Sequence, residues 1–183
     1  MLGFKQETDT LHLKFTSTPH ILLPEPDNMS FWLSLKYAFL HGASRALQIE
    51  RKDIDGVLFP EPSGQNWRQS IVLYDNVPGG AGHVKRIQDE IAQVIAAALE
   101  IVDCSCEKSC YRCLQEYANQ WEHHLLDREP VAEFLRALDA DLQQESQGNS
   151  VGFHPVAAIN PTVWFWEYLQ HVQQELIVFA DQV

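Results

Sequence analysis

Every cysteine of this chain lies within ten residues, Cys104-Ser-Cys-Glu-Lys-Ser-Cys-Tyr-Arg-Cys113. No other feature restricts the local fold so much. The spacing C-x-C-x3-C-x2-C suits one tetrahedral zinc ion, which takes four soft ligands at about 2.3 Å. Such a closed site holds backbone together and leaves no open position for Lewis-acid chemistry. Lys108 and Arg112 sit inside the cluster, where they can offset the excess negative charge of the thiolates. An iron–sulfur cluster also takes closely spaced thiolates, although the ferredoxin spacings differ from this one. A thioredoxin-like dithiol at Cys110-Tyr-Arg-Cys113 would leave Cys104 and Cys106 unexplained. Inert buried cysteines would sit poorly among Ser, Glu, Lys and Arg. His123 follows closely enough for mixed ligation, but the cysteines already complete a set of four.

A chain of 183 residues, 45% of them hydrophobic, can bury a core without any staple. The cysteines therefore need a local explanation. The formal net charge is −12, and no Lys or Arg follows Arg136. Long-range steering toward nucleic acid would be repulsive. The start, MLGFKQETDT, lacks the apolar run of a signal peptide. The run VWFWEYL is far shorter than the roughly 20 residues of a membrane-spanning helix. These features lead us to expect a reduced, cytoplasmic protein with no membrane partner.

Residues 11–16 alternate apolar and polar, with Leu11, Leu13 and Phe15 on one face of a strand. Asn28 or Ser30 caps an amphipathic helix over 31–48, whose face is Phe31, Leu35, Phe39, Ala43 and Leu47. Ile54–Phe59 is expected as a short strand and EPSGQN as a turn. Residues 70–74 make a strand covered on both faces. One long helix then carries Val84, Ile87, Ile91, Val94, Ala98 and Val102 and delivers the chain to Cys104. Tyr111–Asn119 is expected to form a short helix. Asp127 caps the next one, with Leu126 stapled on Val131. Asn160-Pro161 starts a last helix, its aromatic run facing a partner or the module's own helices. The expected fold class is α/β or α+β: a single, mostly helical domain with a small sheet of about three strands around the cysteine site. The expected division is 1–145 for the module and 146–183 for a polar linker and aromatic segment.

The loop from Asp75 through Pro78-Gly79-Gly80-Ala81-Gly82 joins a strand to a helix. That layout can seat an anion on backbone N–H groups, aided by Lys85 or Arg86. The alternative is a tight glycine turn braced by Asp75. The loop lacks the P-loop lysine and the dinucleotide spacing, so nucleotide binding is not expected. Asp75, His83, Glu116 and His123 could be imagined as a metal-dependent nuclease site, but no carboxylate pair ends a strand.

These motifs together resemble the DUF1998 family. The matching residues are Tyr74-Asp75, Pro78-Gly79-Gly80-Ala81-Gly82, Cys104 with Cys106, Cys110 with Cys113, Tyr117-Ala118-Asn119 and Leu126-Asp127-Arg128. Ser109 departs from the glycine usual before the third cysteine, a strained position if its φ is positive. The resemblance covers about residues 30–140. The family is the zinc-binding module of MrfA-like superfamily 2 DNA helicases and of DrmB-type proteins in DISARM antiphage defence. The resemblance implies structural zinc on Cys104, Cys106, Cys110 and Cys113. It implies a non-catalytic module that supports a helicase motor in repair or phage defence, mainly as a scaffold. The partner would be a helicase or ATPase subunit or domain, with DNA reached through it. The chain has no Walker A sequence and no motor of its own. A direct DNA-binding module is the other reading, with candidate contacts Gly79, Gly80, Gly82, Lys85, Arg86, Lys108, Arg112 and Arg128. A metal-dependent nuclease is the least supported.

Overall fold

The computed structural model describes residues 4–5, 7–15, 22–63, 66–146 and 177–178. Strand β1, Phe4–Lys5, forms a short antiparallel ribbon with β5, Ile177–Val178. Strands β2 (Thr10–Leu13), β3 (Ile54–Ser63) and β4 (Asn66–Asp75) form an antiparallel sheet in the order β2-β4-β3. Helix α1 spans Met29–Leu47, α2 His83–Asp89, α3 Ile91–Val102 and α4 Arg128–Ser146. Short 3-10 segments cover Arg51–Asp53 and Tyr117–Leu125. With its strands antiparallel and its helices packed beside the sheet, the fold is α+β.

Helix α1 is the centre of the core. Asn28 caps it through a bond donated by the Phe31 N–H at 3.2 Å. The spacing predicts an amphipathic helix, but every residue from Phe31 to Leu40 is buried, Ser34 and Lys36 included. The sheet presents Ile54, Ile71 and Leu73 to this core, while α3 presents Val94, Ala98 and Val102. At Gly42 an added Cβ would meet the Val94 carbonyl oxygen at 2.7 Å and the Ala98 Cβ at 2.8 Å. Glycine there lets α1 and α3 approach closely.

Several sequence expectations shift in detail. Strand β3 runs to Ser63, so Glu61-Pro62-Ser63 and Asn66 belong to a hairpin and not to a turn. Val72 and Tyr74 are only half-buried, so β4 faces the core on one side. The long helix is two helices, broken at Glu90 with φ −112° and ψ 27°. Tyr111–Leu114 is a turn, and the 3-10 segment follows it. The expected helix from Asn160 and the aromatic run at 163–169 lie outside the described residues. Among the described residues, no helix is long and apolar enough to cross a membrane.

The outer edge of β3 has its own chemistry. The Asn76 N–H donates to the Asp53 carbonyl at 2.7 Å, so alternation turns the main chain of residues 54, 56, 58, 60 and 62 outward. Pro60 and Pro62 have no N–H to offer, and the Gly56 N–H donates to the Asp55 carboxylate at 2.8 Å.

Candidate metal centre

Helix α3 ends at Val102 and releases the chain directly into the cysteine loop. The Cys110–Cys113 half is a turn closed by the Cys113 N–H donating to the Cys110 carbonyl at 3.0 Å. The Gln115 N–H adds a second bond to the same carbonyl at 3.1 Å. This folding gathers all four sulfurs within 4.8 Å of one another. The Cys104–Cys110 and Cys106–Cys113 separations are 3.7 Å, and Cys110–Cys113 is 3.8 Å. A tetrahedron with metal–sulfur bonds of about 2.3 Å has edges of about 3.8 Å. A disulfide would need about 2.05 Å. In an iron–sulfur cluster the four thiolates are spread over two or four irons, so some would stand wider apart. The donor set fits one zinc ion.

The sulfurs are not equivalent. The Arg112 backbone N–H pulls the Cys110 thiol down to about 6. Burial pushes the Cys113 thiol up to about 12 and raises that of Cys106 as well. A bound cation supplies the charge that lets the reluctant thiols ionise.

The segments around the loop hold it by specific bonds. Asn119, buried at 2% exposure, accepts from the Glu116 N–H at 2.9 Å and donates to the Leu114 carbonyl at 2.9 Å. Glu116 in turn pairs with Arg51 at 2.8 Å. His123 Nε2 lies 2.8 Å from Asn119 Oδ1 and 3.0 Å from the Glu116 carbonyl, so it braces this turn and is not a metal ligand. Tyr37 donates to Glu122, which ties the 3-10 segment to α1. Ser109 is not strained, because Gln48 is the non-glycine residue with positive φ among those described. Its hydroxyl instead accepts from the Gln115 side chain at 2.9 Å.

The glycine loop is organised otherwise. The Asp75 carboxylate is fully buried and accepts from the N–H groups of Ala81 at 2.6 Å, His83 at 3.0 Å and Val84 at 2.9 Å. The start of α2 already holds an anion, and it is the protein's own. Gly79, Gly80 and Gly82 have φ of 85°, 77° and 76°, so the glycines serve the turn. Lys85 pairs with Asp9 at 3.0 Å, and Arg86 donates to the Leu47 carbonyl at 3.1 Å. Arg128 donates to the Cys106 carbonyl at 2.7 Å. Lys108 and Arg112 are exposed on the cysteine loop. The proposed DNA contacts are thus divided between α2 and the loop, and several are engaged internally. The imagined nuclease group of Asp75, His83, Glu116 and His123 is not gathered. Among the described residues, the cysteines are the group of three or more metal-ligating side chains that converges.

Sequence reasoning missed two features. Arg128 is expected as a DNA contact within the motif Leu126-Asp127-Arg128, whereas its side chain donates to the cysteine loop. Tyr111, Tyr117 and Trp121 are 67%, 80% and 82% exposed beside the loop. Their polar surroundings in the sequence were a usable signal.

Residues 35–114 match the family model described as the MrfA Zn-binding domain. Over that stretch, the chain is similar to the MrfA zinc-binding domain. The chain is also 34% identical, over 67 residues, to the Druantia protein DruE of Escherichia coli (strain UMEA 4076-1). That match covers 36% of this chain and 4% of the relative. Among solved structures, the chain resembles the DUF1998 helicase MrfA bound to DNA, with a TM-score of 0.49 and 18% identity. It covers 67% of this chain and 16% of that one. The same helicase bound to DNA and AMPPNP gives 0.48 and 18%. The chain spans only a small share of the length of these relatives.

Proposed function

We propose that this chain is a zinc-clasped accessory module that docks on a helicase motor and steadies it, in DNA repair or antiphage defence. The match of residues 35–114 to the MrfA zinc-binding domain carries this reading. The formal charge of −12 favours a protein partner over direct capture of DNA. The exposed Tyr111, Tyr117 and Trp121 provide the kind of side chains that anchor protein interfaces. The metal loop would hold these aromatics in place, and the chemistry of translocation would belong to the motor.

The test is a calorimetric titration of the zinc-loaded chain against a helicase motor from the same genome. Saturable binding, weakened about tenfold or more by Trp121→Ala with Tyr117→Ala, is the expected result. No binding would remove the scaffold reading.

Direct DNA contact is the second reading, favoured by the exposure of Lys108 and Arg112 around Tyr111. It predicts binding of labelled single-stranded DNA that falls steeply with salt and is abolished by Lys108→Glu with Arg112→Glu.

A further inference from the structure

We infer that Arg128 is a positioning residue of the metal loop, setting how tightly zinc is held without being a ligand. It stands at the start of α4, well beyond the last cysteine. Its Nε donates to the Cys106 carbonyl at 2.7 Å, and its Nη1 reaches the Val102 carbonyl at 3.5 Å. Its own backbone N–H donates to the Lys108 carbonyl at 2.9 Å. One residue thus pins the end of α3, the second cysteine and the crossing between the two cysteine pairs.

The end of α3 leaves carbonyls without helical partners, and the last turn of α3 contains no basic residue. The cation that answers them comes from α4. A guanidinium is suited to the task because its planar fork offers several donors in fixed directions. Holding the Cys106 carbonyl fixes the adjoining peptide planes, and with them the direction of the Cys106 sulfur. The positive charge also offsets the negative charge of four thiolates around a divalent ion. Arg128 is half-buried, so solvent only partly screens that charge. Groups behind metal ligands commonly change affinity by about ten- to a hundredfold.

The experiment loads the full chain with zinc and lets a chromogenic chelator compete for it. Arg128→Ala is expected to weaken zinc retention by about ten- to a hundredfold. Arg128→Lys keeps the charge and one donor, so it should fall between Arg128→Ala and the native chain. Co²⁺ in place of zinc should show shifted visible bands in Arg128→Ala, since the bands report ligand geometry. Arg136→Ala is the control. It removes the pair with Asp103 at 2.9 Å, which also links α4 to the end of α3 without touching the loop. A purely structural Arg128 would lower stability with and without metal alike and leave affinity unchanged. The inference falls if folded Arg128→Ala holds zinc within about twofold of the native chain with unchanged cobalt bands. It also falls if Arg136→Ala weakens retention equally. Should Arg128→Ala fail to fold, native-like retention in Arg128→Lys overturns the inference, and intermediate retention supports it.

Discussion

Two loops at helix ends differ in what completes them. The glycine loop opens α2, and the cysteine loop closes α3. In the first, the Asp75 carboxylate satisfies the N–H groups of Ala81, His83 and Val84. In the second, four sulfurs converge as the ligand set of a metal ion. A loop can be finished by its own chain or by something imported. The imported kind makes a ligand part of the fold.

The contrast can be broken most forcefully by removing metal. Chelation, or serine at all four cysteine positions, should lower unfolding stability by several kcal/mol, up to about 10 kcal/mol. Thermal melts paired with zinc counts per chain would show this, and an unchanged melt would dissolve the contrast. Asp75→Ala should cost about 3 kcal/mol or more, because three N–H donors lose their acceptor. Its zinc content should stay at one ion per chain, since the glycine loop owes nothing to metal. Gly80→Ala should cost about 1–3 kcal/mol by denaturant titration. Its φ is 77°, and a Cβ would meet Asp9 Oδ2 at 2.6 Å.

Acid should act on the cysteine side first. Protons compete with metal for the Cys106 and Cys113 sulfurs, so zinc should leave as pH falls, as a chelator-free dialysis series would reveal. His41 adds a separate slope. Burial lowers it from its ordinary 6.5 to about 4, so the unfolded chain takes the proton first. Its contribution is complete above 6.5 and is lost as pH falls toward about 4. His41→Gln should flatten that part of a stability–pH curve. The smallest effect belongs to Lys85→Ala, below about 1 kcal/mol, because the Lys85 side chain is largely exposed.

Much of the fold is legible in the sequence. The Asn28 cap, the buried spacing along α1 and the convergence of the cysteines follow from local chemistry. The break at Glu90 was hidden, because Val84, Ile87, Ile91 and Val94 keep a helical phase across it and no Gly or Pro marks it. The burial of Lys36 was also hidden. Its ammonium depends on Glu122, 4.0 Å away, and on the Tyr37 ring at 4.2 Å, and Glu122 lies far along the chain. The length of β3 was obscured by Pro60 and Pro62, which read as breakers unless the strand is known to be an edge. Arg128 reads as a candidate DNA contact because its partners are carbonyls, which no side-chain pattern reports.

The prolines of that strand also bear on how such a module lives inside a large polypeptide. An unsatisfied row of amides invites any passing extended segment to join, and long chains emerging from the ribosome supply many. Here Leu58 offers the one free donor between Gly56, whose N–H is already taken by Asp55, and the two prolines. A foreign strand would find few free donors along this edge. The module can therefore be carried among many neighbours with little risk of strand addition on that side.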